Sequence, residues 1–178
     1  KRLIPLYQRS FDKKITFVDK QDFVDVEEYD FQIPIVSLAR LFRTTKESFN
    51  SGTKKYLNAD EQKTHIYRNR IKDIKNKKII GISWKSNSTI NRTKSLSLEE
   101  FILGIYSPNL CFLNLQYGDT RDEINNIKEK HNINIINLKE VDNFNNLDDF
   151  AALINSCDII VSIENMLYAL AGALGIDS

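Results

Sequence analysis

A chain of 178 residues with 42% hydrophobic content is long enough to bury a real core, so it reads as a globular protein of one generous domain or parts of two. Twenty-five Lys and Arg against 24 Asp and Glu leave a net charge of +1, which removes the broad electrostatic case for nucleic acid or an anionic membrane. Any anion site must therefore be local. No apolar run approaches the roughly 20 residues that span a bilayer, and no signal-peptide pattern opens the chain, so cytoplasmic residence is the default expectation.

In chain order, residues 1 to 58 read as the irregular remains of an α/β region. Lys14 to Val18 is expected as a strand, Phe31 to Ile35 as extended because Pro34 disfavours helix before it, and Ser37 as the cap of a short helix carrying Leu38, Leu41 and Phe42. Aromatics and acids alternate from Phe23 to Phe31 without a clean period. Residues 59 to 78 read as a connecting helix capped by Asp60 or Asn58, with Ile66, Tyr67, Ile71 and Ile74 along one face. Its basic residues, among them Lys63, Arg68, Arg70, Lys72 and Lys75, read as a solvated face, because no aromatic stacking platform accompanies them.

From residue 79 to 178 the pattern becomes regular. Ile79 to Trp84 is a strand, Lys85 to Lys94 a polar loop, and Ser97-Leu-Glu-Glu100 a capping box opening a helix to about Tyr106. Leu110 to Leu115 is the second strand, Asp119 to Lys130 an amphipathic helix, Ile133 to Leu138 the third strand and Leu147 to Ser156 the third helix. Asp158 to Ser162 is a β-branched buried strand, Asn165 caps an apolar helix from Met166 to Leu174, and Gly175 supplies its left-handed end. Strands alternating with helices imply βαβ units and a parallel sheet, a Rossmann-like lobe. Because the chain starts Lys1-Arg2 and stops three residues after Gly175, where another strand is expected, it reads as a fragment.

A parallel sheet brings its strand-end loops to one rim, where helix N-termini attract anions. Those loops carry Ser83, Lys85, Ser86, Asn87, Arg92 and Lys94 after the first strand, Gln116 and Tyr117 after the second, Glu140 and Asp142 after the third, and Ser162, Glu164 and Asn165 after the fourth. A diphosphate could sit against residues 162 to 166 with Lys94 opposite, and Gln116 and Tyr117 could hydrogen-bond or stack on a base. Each also has a plainer role: Trp84 as packing, Lys85 and Lys94 as solvated lysines, Asn165 as a cap, and Gly172 as a point of close helix–strand packing. His65 and His131 read as surface residues, Glu99/Glu100 and Asp148/Asp149 as partners of helix dipoles, and Cys111 and Cys157 as reduced structural thiols. No P-loop, G-x-G-x-x-G, G-x-S-x-G or H-E-x-x-H occurs, and no metal-ligand cluster is evident.

Five blocks in register carry a family likeness. Ile80-Gly-Ile-Ser-Trp-Lys-Ser86, Lys94-Ser-Leu-Ser-Leu98, Phe112-Leu-Asn-Leu-Gln-Tyr-Gly-Asp119, Asp148-Asp-Phe-Ala-Ala-Leu-Ile154 and Cys157 to Asn165 with Leu170-Ala-Gly-Ala-Leu-Gly175 resemble the donor half of GT-B glycosyltransferases. The nearest likeness is to the bacterial group often fused to tetratricopeptide repeats, related to heptosyltransferases and O-GlcNAc transferase. More loosely, Leu3 to Phe11 and Phe31 to Leu38 resemble the end of the same family's acceptor lobe. The resemblance implies residues 1–58 as the end of an acceptor lobe, 59–78 as a connecting helix and 79–178 as a nucleotide-sugar lobe. It further implies a metal-independent enzyme that needs no cofactor beyond its nucleotide-diphosphate sugar donor and passes the sugar to a glycan, lipid or protein acceptor. Ser83, Lys85, Ser86, Lys94, Gln116, Tyr117, Glu164, Asn165, Met166 and Leu167 then form the donor site, Lys94 and the 164–167 amides meeting phosphate. The family's usual Asp, Ser/Thr pair and His are here Glu164, Met166, Leu167 and Ala169, and the acceptor-lobe catalytic base is expected upstream of Lys1, so this piece alone is expected to be inactive. That departure leaves a degenerate, non-catalytic binding or scaffold domain as the alternative, with a flavodoxin-like anion binder as a third.

Overall fold

The computed structural model of the chain describes residues 1–19, 21–22, 29–49, 55–71, 77–86 and 95–178. Four parallel strands, β1 (Lys78–Ser83), β2 (Leu110–Asn114), β3 (Ile135–Ile136) and β4 (Ile159–Ser162), lie in the order β3-β2-β1-β4. The chain fills one side of β1 first and then crosses to the other, so the strand order reverses between β1 and β4. Beyond β4, Ile159 bridges Asp177 in parallel, and the Ile160 amide donates to the Asp177 carbonyl at 2.9 Å. The molecule is thus a Rossmann-like α/β unit, with its order reversal where such folds gather ligands.

Alternation along the strands explains the two cores. Ile80, Ile82, Phe112 and Ile135 face one layer, made with α4 (Leu98–Ile105) and α5 (Arg121–His131). Ile79, Cys111, Leu113 and Ile160 face the other, made with α1 (Ile4–Ser10), α3 (Glu61–Ile71), α6 (Leu147–Asn155) and α7 (Met166–Leu174). Gly81 lies on this second face, where a Cβ would come within 2.4 Å of Leu115 Cδ1 and 2.6 Å of Ile160 Cδ1. The glycine leaves the space that these two core side chains fill. The expected close-packing role belongs here and not to Gly172, which is exposed with open space around it.

Local chemistry fixes the helix ends as the sequence implies. Ser97 and Glu100 form the reciprocal capping box of α4, Asn165 caps α7, and Gly175 ends it at φ 74°. Other expectations need correction. Residues 14 to 18 form no strand, because that segment follows a turn closed by Asp12 and finds no neighbour to pair with among the described residues. Ser37 lies inside a 3₁₀ turn (Ile35–Leu38) that leads into α2 (Ala39–Phe42), with Pro34 at its start and no side-chain cap.

The helix α3 packs along α6 with Tyr67 and Ile71 buried, while Ile66 stays exposed. Its basic side chains are ion-paired and not simply solvated: Lys63 meets Asp149, Arg68 meets Asp158 at 2.6 Å, and Arg70 meets Glu140. The rest of that reading, Lys72, Ile74 and Lys75, lies outside the described residues. Arg9 of α1 pairs likewise with buried Asp148, so the Asp148/Asp149 pair anchors α1 and α3 on α6. His131 bridges Glu99 of α4 at 2.7 Å, which holds that carboxyl below its ordinary range, and His65 is exposed. No helix among the described residues is long and apolar enough to cross a membrane.

Candidate functional site

The register partners Ser83 and Ser162 end β1 and β4 side by side. Behind them β2 runs into Leu115 and Gln116, so three adjacent strands deliver polar side chains to one rim. Gln116 is 2% exposed, and its Oε1 accepts from Ser83 Oγ at 2.9 Å, the Trp84 amide at 3.1 Å and the Lys85 amide at 3.0 Å. Ser83 Oγ in turn accepts from Asn165 Nδ2 at 3.0 Å. Gln116, Ser83 and Asn165 therefore form one hydrogen-bonded chain across the reversal of strand order.

Asn165 also closes the helix start. Its Oδ1 accepts from the amides of Leu167 at 2.9 Å and Tyr168 at 3.3 Å and from Ser162 Oγ at 3.2 Å. An anion seeking those two amides would have to displace the carboxamide. The adjoining cavity, between Ser83, Tyr117, Asn165 and Met166, measures about 30 Å³, the scale of one or two waters.

The flanking groups sort as follows. Lys85 turns away from α7: its Nζ pairs with Glu123 of α5 and stands 5.9 Å from the Trp84 ring centroid. Trp84 is fully buried and donates Nε1–H to the same carboxylate at 3.2 Å, which fits the packing role expected of it. The Ser86 amide donates to Ser95 Oγ at 3.0 Å, away from the rim chain. Tyr117 lines the small cavity and stacks on Phe144 at 6.4 Å, with the Arg2 guanidinium 5.1 Å from the Phe144 centroid. Glu164 is exposed, Met166 is 47% exposed and Leu167 is buried. Lys94, with Asn87 and Arg92, lies outside the described residues. Glu140 serves α3, and Asp142 caps the turn at Phe144 and Asn145.

A second, polar cavity of about 220 Å³ opens beside the rim, at the carboxyl ends of β2 and β3. Asn114, Thr120, Asn137 and Asn143 line it. Asn114 is 7% exposed and donates to Thr120 Oγ1 at 3.0 Å, while its Oδ1 takes the Gln116 amide. At its mouth the Arg121 guanidinium holds the Asp119 carboxyl down to about 2, so this carboxylate stays ionised throughout the physiological range. These residues were not anticipated as site residues, although an asparagine inside the apolar run Cys111-Phe-Leu-Asn-Leu115 is the kind of buried polar group that marks a functional rim. Among the described residues no cluster of His, Cys, Asp and Glu is arranged to hold a metal ion.

Protein FlbA of Caulobacter vibrioides is 27% identical to this chain over 190 residues. The alignment takes in 98% of the chain and 32% of that protein, so the chain spans about a third of its relative's length. No known family's sequence profile and no solved structure matches the chain.

Proposed function

We propose that this chain supplies the nucleotide-sugar lobe of a metal-independent GT-B glycosyltransferase. The observation that carries the reading is the meeting of Ser83, Gln116 and Asn165 in one hydrogen-bonded chain, at the carboxyl ends of adjacent parallel strands where the strand order reverses. Four of the five sequence blocks resembling that family run through β1, β2, α6, β4 and α7, the elements that form or back this rim. In this reading the diphosphate takes the amides at the start of α7 and displaces the Asn165 carboxamide from Leu167 and Tyr168. The base and ribose take the 220 Å³ cavity, whose carboxamides and hydroxyl complement their edges. Transfer then needs no covalent residue, because charge on the leaving diphosphate is stabilised by helix amides and a cation, the role reserved for Lys94.

Calorimetric titration with UDP, GDP and ADP tests the proposal. Binding of one of them, strengthened by Ala169→His, is the expected result. No heat with any of the three at millimolar concentration, and none restored by Ala169→His, would sink it. A second reading, a non-catalytic domain that keeps the fold, is favoured by the self-capped α7 start, by Lys85 turned to Glu123 and by exposed Met166. It predicts the blank titration.

A further inference from the structure

Residues 31 to 42, Phe-Gln-Ile-Pro-Ile-Val-Ser-Leu-Ala-Arg-Leu-Phe, carry a single charge, and the structure turns most of their apolar side chains outward. Phe31 is 94% exposed, Ile35 and Val36 are each 81%, Phe42 is 71% and Leu41 is 64%, with Phe49 nearby at 65%. Two short turns of helix have no stability of their own in water, so a segment presenting this face needs a cover to hold its shape. Ile35 and Leu38 also form one wall of an apolar groove of about 730 Å³, whose opposite wall is Tyr7, Phe11, Met166 and Ala173. Ridge and groove therefore lie side by side on one molecule.

We infer that this face is a twofold interface between two copies of the chain, each inserting its Phe31–Phe42 ridge into the other's groove. Two features select a second copy as the occupant. The six exposed side chains present on the order of 800 Å² of apolar area, the share each partner contributes to a stable interface of standard size. The groove has room for several large side chains, and a second copy brings a ridge of matching size while offering a groove in return, the self-complementarity that closes a dimer. The groove shares Met166 and Ala169 with the start of α7, so a ridge seated in it would cover positions that the proposed donor site uses.

Sedimentation velocity of the chain between 1 and 100 µM tests it. The expected result is a monomer–dimer equilibrium with a dissociation constant on the order of micromolar or tighter, little changed by salt because the contact is apolar. The double variant Val36→Asp/Phe42→Asp is expected to weaken association by about 100-fold or more while leaving the urea midpoint of the Trp84 fluorescence transition unchanged at a concentration well below the dissociation constant, where wild type and variant are both monomers, since both positions lie outside the two cores. Ile15→Glu, on the groove side and outside the proposed donor site, is expected to do the same. A monomer throughout the range, a dimer that survives the double variant, or open-ended growth into larger species would each overturn the proposal. So would a monomer that sediments with phosphatidylcholine vesicles, which would put a lipid surface on this face instead.

Discussion

Replacing Gln116 by Leu keeps nearly the same volume at a site 2% exposed and removes the one oxygen that accepts from Ser83 Oγ and from the Trp84 and Lys85 amides. A buried donor left without an acceptor costs about 1–3 kcal/mol. The three donors are not equal. Ser83 can rotate its hydroxyl, and the Lys85 amide lies next to a partly exposed side chain where water can reach it, so the Trp84 amide, behind a fully buried indole, carries most of the penalty. The total expected is about 2–4 kcal/mol, a large share of the roughly 5–15 kcal/mol that holds a domain folded. The single tryptophan makes the assay simple: urea unfolding followed by its fluorescence should show a midpoint lower by about 1–2 M. Gln116→Glu keeps the acceptor, but its second oxygen either carries a proton and still donates to the Tyr117 carbonyl or is ionised in a buried site, so its midpoint should lie near wild type in acid and fall as pH rises. If Gln116→Leu unfolded at the wild-type midpoint, the rim would not be held by this oxygen, and the described network would be wrong. The outcome also guides ligand work: a Gln116 variant that binds nothing reports a collapsed loop, whereas Asn165 variants probe the helix start more directly.

Gly81→Ala should destabilise by about 1–3 kcal/mol in the same urea experiment, because its methyl meets Leu115 and Ile160 in a packed core, and adding Ile160→Val should recover part of the loss. Gly172→Ala should act in the opposite direction, raising stability by about 0.5–1 kcal/mol, since the position is helical, exposed and free of any neighbour to the new methyl. Asp158 is held below its ordinary carboxyl range: burial opposes ionisation, but the Ile79 amide at 2.8 Å and Arg68 outweigh it. Its contribution is therefore present above the unfolded carboxyl value near pH 4 and is lost as pH falls through the lower folded value. Asp158→Asn should cost about 1 kcal/mol at neutral pH and flatten the acid limb of a stability–pH profile, a change that calorimetric melting between pH 2 and 7 would reveal.

The α/β order was legible because each element carries its own punctuation. The run Asp158 to Ser162 has no helical spacing, Ser97 to Glu100 is a self-contained capping device, and Asn165 with Gly175 brackets α7 from both sides. What was hidden depends on partners remote in sequence. The charges of α3 looked solvated because Asp149, Asp158 and Glu140 lie 70 or more positions away. Gly81 and Gly172 could not be told apart, since only the packed sheet shows which one faces Leu115 and Ile160. The site was partly legible for a similar reason: topology alone brings Ser83, Gln116 and Asn165 together. Whether a given polar group faces a ligand or its own backbone is decided by distances of a few tenths of an ångström. Lys85 lies at the expected strand end, yet an α5 carboxylate takes its ammonium group.

Cys111 and Cys157 both sit in the sheet layer shared with α6 and α7, unbridged, and burial pushes both thiols up. In the folded chain the reactive thiolate is thus scarce and screened from solvent. Maleimides and mild oxidants should pass over the native molecule and consume it only through transient opening. The chain carries a built-in clock for the breathing of its own interior, and the rate of sulfhydryl capture reads it without any added label.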